Sequence, residues 1–390
     1  MKKLLLAIFA AAMTTAASAQ VNGNGYYRVT NLGRQVVNKQ NCYVYVDYNQ
    51  AQIVTNAGTG QSFEPIAIYQ DTKRSPISDP ASVIYAKLNG NNVDLEAQGT
   101  SVSQMTSQKL ILTQNGKANS YQLSTIKSGM TVYLWASTNM YFEHYIATTI
   151  ASDQMAYKFW AISPVSSSSD NYFGVKPTLS AEGKYYAPFY AAFPFKFASS
   201  GMKAYCVKNF DNEHFALEEI TSEVKPGKTP MLIECSSENP SDNRLDLLYG
   251  NYGSVSGNKL SGVFFCNDFI SGYSDVRTQF NAATMRVWNV ENGKLVLSTS
   301  EENLFKSIFA SDAGKSFIRA NQSYLVVPAS ANKTLTVGIP SAVEFINASE
   351  EAPEPVSYST LGGVKIDAPE AGMGVVVVKY SDGTARKVVY

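Results

Sequence analysis

Residues 184–207 read KYYAPFYAAFPFKFASSGMKAYCV, the densest aromatic stretch of the chain. Flat rings pack well on a pleated sheet, and Lys203-Ala204-Tyr205-Cys206-Val207 alternates with the period of a half-buried strand. The stretch also marks a change of character. Before it the sequence is rich in Ser, Thr and Asn with recurring short strand signals; after it come longer hairpins punctuated by Pro and Gly. Both flanks predict strands, so the expected fold class is all-β.

With 390 residues the chain exceeds one ordinary core, since domains usually run about 100–200 residues. A hydrophobic content of 45% and an aromatic content of 12%, the latter mostly 24 Tyr and 19 Phe, are enough to fill two or three cores rather than leave the chain disordered. Formal net charge is zero and no Lys/Arg cluster is dense enough to neutralise a row of phosphates, which argues against nucleic acid as a partner.

Residues 1–19 have the parts of a secretory signal peptide: Lys2 and Lys3, the apolar run Leu4 to Met13, and the small-residue site Ala17-Ser18-Ala19. No later apolar run approaches the roughly 18 residues of a membrane helix, so no transmembrane segment is expected after cleavage. Export permits disulfides, but Cys42, Cys206, Cys235 and Cys266 are too few for a disulfide framework. The last three lie in apolar, strand-like segments, which leaves buried thiols or one bond among them open.

Between residues 20 and 182 a pattern of two strands, a polar loop and an aromatic-plus-aliphatic closing segment recurs three times. The first copy holds Tyr26 to Val29 and Tyr43 to Val46 and closes at Gln61-Ser62-Phe63-Glu64-Pro65-Ile66. The second holds Val83 to Ala86 and Val93 to Leu95 and closes at Asn119 to Leu123; the third holds Thr131 to Trp135 and Tyr141-Phe142 and closes at Lys158 to Ile162. Repeats of this kind point to a threefold β-structure whose units cannot bury their apolar faces alone. The closing segments, with Gln61 two before Phe63 and with Trp160, resemble the Gln-x-Trp repeats of the ricin-type β-trefoil family. That resemblance implies that Phe63, Tyr121 and Trp160 are core. It also implies sugar contacts from an Asp and an exposed aromatic in each repeat, for which Asp47 with Tyr48, Asp94, and Trp135 with Tyr141 are the nearest equivalents.

Residues 183–338 form a second, β-sandwich-like module. Pro226-Gly227 is a turn signal, and Asn292-Gly293 suits a tight hairpin that needs positive φ. In order, Tyr186 to Tyr190, Gly201 to Tyr205, Lys225 to Ile233 and Ile318 to Leu325 resemble a β-rich module of exported Bacteroidetes proteins. The resemblance implies lineage and export, not chemistry. Residues 339–355, rich in Pro and Glu, read as a linker. Residues 356–390 alternate as three short strands, the last two joined by an Asp382-Gly383 turn, and form a short C-terminal β-tail. Leu361-Gly362-Gly363-Val364, Ala371-Gly372 and Arg386-Lys387 resemble the C-terminal sorting domain of the type nine secretion system, which implies passage to the cell surface or beyond.

Catalytic motifs are missing from this sequence. Of two histidines, His144 lies among aromatics, and His214 follows Cys206, whose alternating apolar strand suits a core thiol better than a nucleophile. No Cys-x-x-Cys, His-Glu-x-x-His, Ca²⁺ loop or Gly-rich phosphate loop occurs, so no catalytic residue, metal or other cofactor is assigned. Asp211, Glu213, Glu218 and Glu219 read as a solvated acidic turn. The expectation is a non-catalytic exported or surface protein that binds glycan through its N-terminal module, with Trp135, Tyr141, Asp47 and Tyr48 as ligand-binding candidates. A secreted hydrolase acting on glycan or peptide, and a structural adhesion subunit contacting a host or cell-surface protein, stay open as alternatives.

Overall fold

The computed structural model describes residues 23–46, 66–72, 74–89, 92–97, 100–101, 110–114, 119–127, 130–136, 145–147, 157–264, 277–306, 312–340, 355–370, 372, 374–380 and 385–389. The expected signal peptide and nearly all of the expected linker lie outside these residues. The chain is all-β. Among the described residues no helix is long and apolar enough to cross a membrane.

The N-terminal sheet contains β1 (Gly25–Asn31), β2 (Cys42–Val46), β3 (Ile66–Gln70), β4 (Ile84–Asn89), β5 (Asn92–Ala97), β6 (Thr100–Ser101), β7 (Leu110–Gln114), β8 (Tyr121–Lys127), β9 (Met130–Trp135), β10 (Tyr145–Ala147) and β11 (Phe159–Pro164). Following the antiparallel ladders from β1 to β4, β5, β7, β8, β11 and back to β1 closes a ring of six strands. Closure removes the sheet edges that would otherwise be left unpaired. The β2/β3 and β9/β10 hairpins extend from β1 and β8, and β6 turns back on β5. A six-stranded ring with three such excursions is a β-trefoil-like connectivity.

The phase of the repeat differs from the sequence reading. Ile84 to Ala86 belong to the strand that ends the first unit, and Tyr121 opens the third unit rather than closing the second. Tyr121 and Trp160 therefore face each other across the β8/β11 ladder, both buried. A strand and its successor carry the same alternating apolar pattern, so periodicity alone cannot say where a unit begins. Phe63 lies outside the described residues.

The central sheets are built from β12 (Phe173–Gly174), β13 (Leu179–Ala181), β14 (Lys184–Phe189), β15 (Phe195–Phe197), β16 (Lys203–Phe210), β17 (His214–Glu219), β18 (Met231–Cys235), β19 (Arg244–Leu247), β20 (Leu260–Val263), β21 (Met285–Glu291), β22 (Lys294–Ser298), β23 (Phe305–Lys306), β24 (Ser316–Phe317), β25 (Gln322–Val326) and β26 (Thr334–Val337). Ten of them form one curled sheet in the order β13-β14-β18-β16-β17-β26-β22-β21-β25-β20. The two halves of that sheet enclose a core around Leu232, Phe215, Trp288, Leu297 and Leu335. The outer face of β14, β16 and β18 packs against the three-stranded sheet β12-β19-β15, burying Phe189, Phe193, Phe195, Ile233 and Leu245. Four of the eight rings of the opening stretch, Tyr186, Phe189, Phe193 and Phe195, are thus buried in the cores. Asn292 and Gly293, at φ of 53° and 74°, make the β21/β22 hairpin turn.

The tail forms a four-stranded sheet of β27 (Pro355–Thr360), β28 (Lys365–Ile366), β29 (Val375–Tyr380) and β30 (Ala385–Val389). Three strands were expected. The stretch from Val356 to Ile366 is broken by a turn in which Val364 N–H donates to Thr360 Oγ1 and Gly363 takes a φ of 82°, so Leu361 to Val364 is a bend rather than a strand. Asp382-Gly383 lies outside the described residues.

Candidate functional site

The described residues bring polar and aromatic groups together in the central sheet, at a cleft of about 420 Å³. Three chain segments line it: Cys206 and Lys208 of β16, Glu218 and Glu219 of β17 with the connecting segment that leaves them toward Pro226, and Tyr252, Ser254 and Val255 of the β19–β20 loop. The volume is within the range of small-ligand sites.

A β-bulge shapes its floor. Val207 opposes Leu217 while Asn209 opposes Ala216, so Lys208 is the extra residue of the β16/β17 ladder. A bulge bends its strand and re-aims the extra side chain; here the Lys208 ammonium meets Glu218, and that hydrogen bond raises its pKa above the usual lysine value. On the other side of the same ladder, Lys203 Nζ donates to Glu219 Oε2 at 3.2 Å. Consecutive strand residues leave the backbone on opposite faces. Glu218 is paired with Lys208 and Glu219 with Lys203. Their charges are each answered by a lysine, so the lining offers donors and acceptors in balance with the hydroxyls of Thr221, Ser222 and Ser254.

Beside the cleft, Lys225 is buried, donates to the Ser222 carbonyl and lies 5.1 Å from the Phe197 ring centroid. Burial holds its pKa below the usual lysine value. The Cys206 thiol is buried too, and burial, with Glu218 nearby, pushes its pKa up. A raised pKa disfavours the thiolate, the reactive form. His214 lies four positions along β17 from Glu218, the residue opposite Cys206, hence about 14 Å away at the strand rise. Its ring sits beside Asp211 instead, with Nδ1 at 3.8 Å from Oδ1.

The β19–β20 loop is tied at both ends. Leu248 N–H donates to the Pro194 carbonyl at 2.8 Å, and Lys259 N–H donates to the Val207 carbonyl, at the bulge, at 2.7 Å. Between the ties, Asn251 Oδ1 accepts from Gly253 N–H at 3.0 Å, and Gly253 and Gly257 take φ of 77° and 73°. The loop holds two large exposed rings, Tyr249 at 59% and Tyr252 at 45% exposure.

Of the ligand-binding candidates read from the sequence, Trp135 alone falls among the described residues. Trp135 ends β9, opposite Tyr145; Asp47, Tyr48 and Tyr141 lie outside the described residues. Glu218 and Glu219, read as part of an acidic turn, stand on a strand. Tyr252 was not singled out. Its signal was Tyr249-Gly250-Asn251-Tyr252-Gly253, aromatics spaced by turn residues, where a ring has no neighbouring apolar residue to bury it. Among the described residues no group of three or more His, Cys, Asp or Glu could hold a metal ion.

No family model and no curated protein matches the chain. A solved mosquitocidal holotoxin is similar over 94% of this chain and 39% of its own, at 9% identity and a TM-score of 0.19. The chain thus spans well under half the length of that relative, and a likeness so distant carries no argument.

Proposed function

We propose that this is an exported, non-catalytic protein that binds glycan, and that the cleft beside Tyr252 is where it does so. The observation that carries this reading is Tyr252: a large ring left 45% exposed on a cleft of about 420 Å³, beside charge-balanced Lys–Glu pairs and hydroxyls. A sugar ring presents an apolar face of C–H groups and a rim of hydroxyls. The tyrosine face covers the first, while Lys208, Glu218, Thr221 and Ser254 exchange hydrogen bonds with the second. Compensated charges suit a neutral ligand, which would leave a buried excess charge unpaired nowhere. Export rests on the signal-peptide pattern of residues 1–19 and on the tail's resemblance to a type nine sorting domain.

Glycan-array binding followed by calorimetry tests the reading. Tyr252→Ala is expected to weaken binding up to about tenfold, the worth of one aromatic contact, while Tyr252→Phe retains most of it. Trp135→Ala serves as the second arm, because it separates this cleft from the trefoil-like hairpins. Absence of any glycan ligand, or binding lost with Trp135→Ala and kept with Tyr252→Ala, overturns the assignment.

A further inference from the structure

The loop that carries Tyr252 is held from the N-terminal barrel. Tyr85 of β4 is buried, and its ring lies parallel to that of Tyr249, with centroids 3.9 Å apart and planes 6° from parallel. Tyr26 of β1 donates its hydroxyl hydrogen to the Leu248 carbonyl at 3.0 Å, immediately before Tyr249. Tyr26 is itself wedged edge-on against Tyr85 at 5.3 Å and against Phe193 of the central module at 5.8 Å. Two strands of the barrel thus fix the first limb of the loop, while β16 fixes the last through Val207.

Between these ties the loop is held by the Gly253 N–H bond to Asn251 Oδ1 and by Val255, which packs against the core around Phe189 and Phe193. Gly250, Gly253 and Gly257 all take positive φ, and the residues from Tyr249 to Ser254 are exposed. A glycine-rich segment loses much conformational entropy when it is ordered, so its free state samples many shapes unless its ends and some side chains are pinned. Tyr249, stacked on Tyr85, and Val255, packed on the core, are the pinned side chains on either side of Tyr252. Tyr252 follows Tyr249 by three residues.

We propose that Tyr85 is a positioning residue for the cleft: the N-terminal barrel pre-orders the Tyr252 loop through the Tyr85–Tyr249 stack, so that ligand binding in the central module depends on a contact made by the barrel. This rests on the cleft being the binding site, but the positioning can be tested without any ligand. Pre-ordering a loop raises affinity by removing the ordering cost from the binding step, and the stack sets the size of the gain at about tenfold.

The test is hydrogen exchange of the Leu248, Gly253 and Lys259 amides, which donate hydrogen bonds within the loop and at its ties, alongside glycan affinity, in Tyr85→Ala, Tyr85→Phe and Tyr249→Ala. Tyr249→Ala removes the stack from the exposed side and leaves no hole in the barrel, so it remains informative if Tyr85→Ala misfolds. Exchange in the loop is expected to quicken about tenfold in both alanine variants, with β16 and β18 amides unchanged, and glycan affinity to drop by a similar factor; Tyr85→Phe keeps the ring and is expected to restore both. Unchanged loop exchange in Tyr249→Ala overturns the positioning role even if Tyr252→Ala abolishes glycan binding. Faster loop exchange in a protein that binds no glycan sinks the binding assignment and leaves the mechanical coupling standing.

Discussion

Cys235 ends β18 with its thiol buried, and burial pushes its pKa up to about 12 from an ordinary 9. Cys42, at the start of β2, is pushed up to about 11 by the same cause. Each thiol keeps its proton in the folded chain at a pH where the unfolded chain has released it. The folded state then binds more protons, and stability falls as pH rises. For Cys235 the loss begins as pH passes 9, the unfolded value, and is complete only above about 12. Cys235→Ala removes this group from the balance, so its stability is expected to fall less steeply than the parent's above pH 9, by up to about 1.4 kcal/mol per pH unit. Urea midpoints taken from about pH 8 to about pH 11 measure the difference; parallel curves for the two proteins would show that the thiol ionises freely in the fold. Burial of such residues could be read from the sequence, because Cys206 and Cys235 sit in apolar alternation and Trp160 in a recurring aromatic position. The role of Tyr252 could not. Its cleft is made by segments near residues 206, 220 and 253, and nothing local to any of them states that they meet.

β18 illustrates what an element's neighbours demand of its sequence. Met231 and Ile233 point into the core shared with the three-stranded sheet, and Leu232 points into the core inside the curl. A strand covered on both faces carries a continuous apolar run instead of alternation, and Met-Leu-Ile is that run. Leu232→Ala and Ile233→Ala are each expected to cost about 2–5 kcal/mol, because each opens a cavity in a different, fully packed core. Equilibrium urea unfolding checks the pair; a cost below about 1 kcal/mol for either would mean that its core collapses around the gap or was never tightly packed. Strands of this kind, and the Asn292-Gly293 hairpin, were legible because their chemistry is local. The tail's extra turn was missed for a complementary reason. Leu361 and Val364 look like strand residues, and only the positive φ of Gly363 and the Thr360 hydroxyl bond convert them into a bend. The bulge at Lys208 was illegible too, since one added residue leaves no trace in a strand's composition, although it aims the lysine that lines the cleft.

At the scale of the molecule, the barrel and the central sheets share a seam rather than a tether. Val83, just before β4, is buried in the same cluster as Phe173 and Phe193. Arg28 of β1 is buried as well, and burial pushes its pKa down to about 10. Its guanidinium donates to Asn171 Oδ1 at 2.7 Å, to the Tyr172 carbonyl at 2.8 Å and to Ser82 Oγ at 3.3 Å. Asn171 in turn donates to the Ser163 and Pro164 carbonyls at the end of β11. The arginine therefore joins the first barrel strand to the segment that leads into the central module. Arg28→Met fills a similar volume but strands the Asn171 and Tyr172 oxygens without a donor, at a cost of about 1–3 kcal/mol each. In the parent chain that coupling should make β1 and β11 amides exchange through the same opening as β18 amides, with one free energy as denaturant rises. In Arg28→Met the barrel amides are expected to open first, at lower denaturant, while β18 and β21 keep their protection. Because Tyr26 and Tyr85 reach the Tyr252 loop from that same barrel, the variant should also loosen the Leu248, Gly253 and Lys259 amides in step with the barrel. If the loop instead kept the slow exchange of β18 while the barrel opened, the seam would be only adhesive, and the order of the loop would have to come from its ties to Pro194 and Val207 and from the packing of Val255.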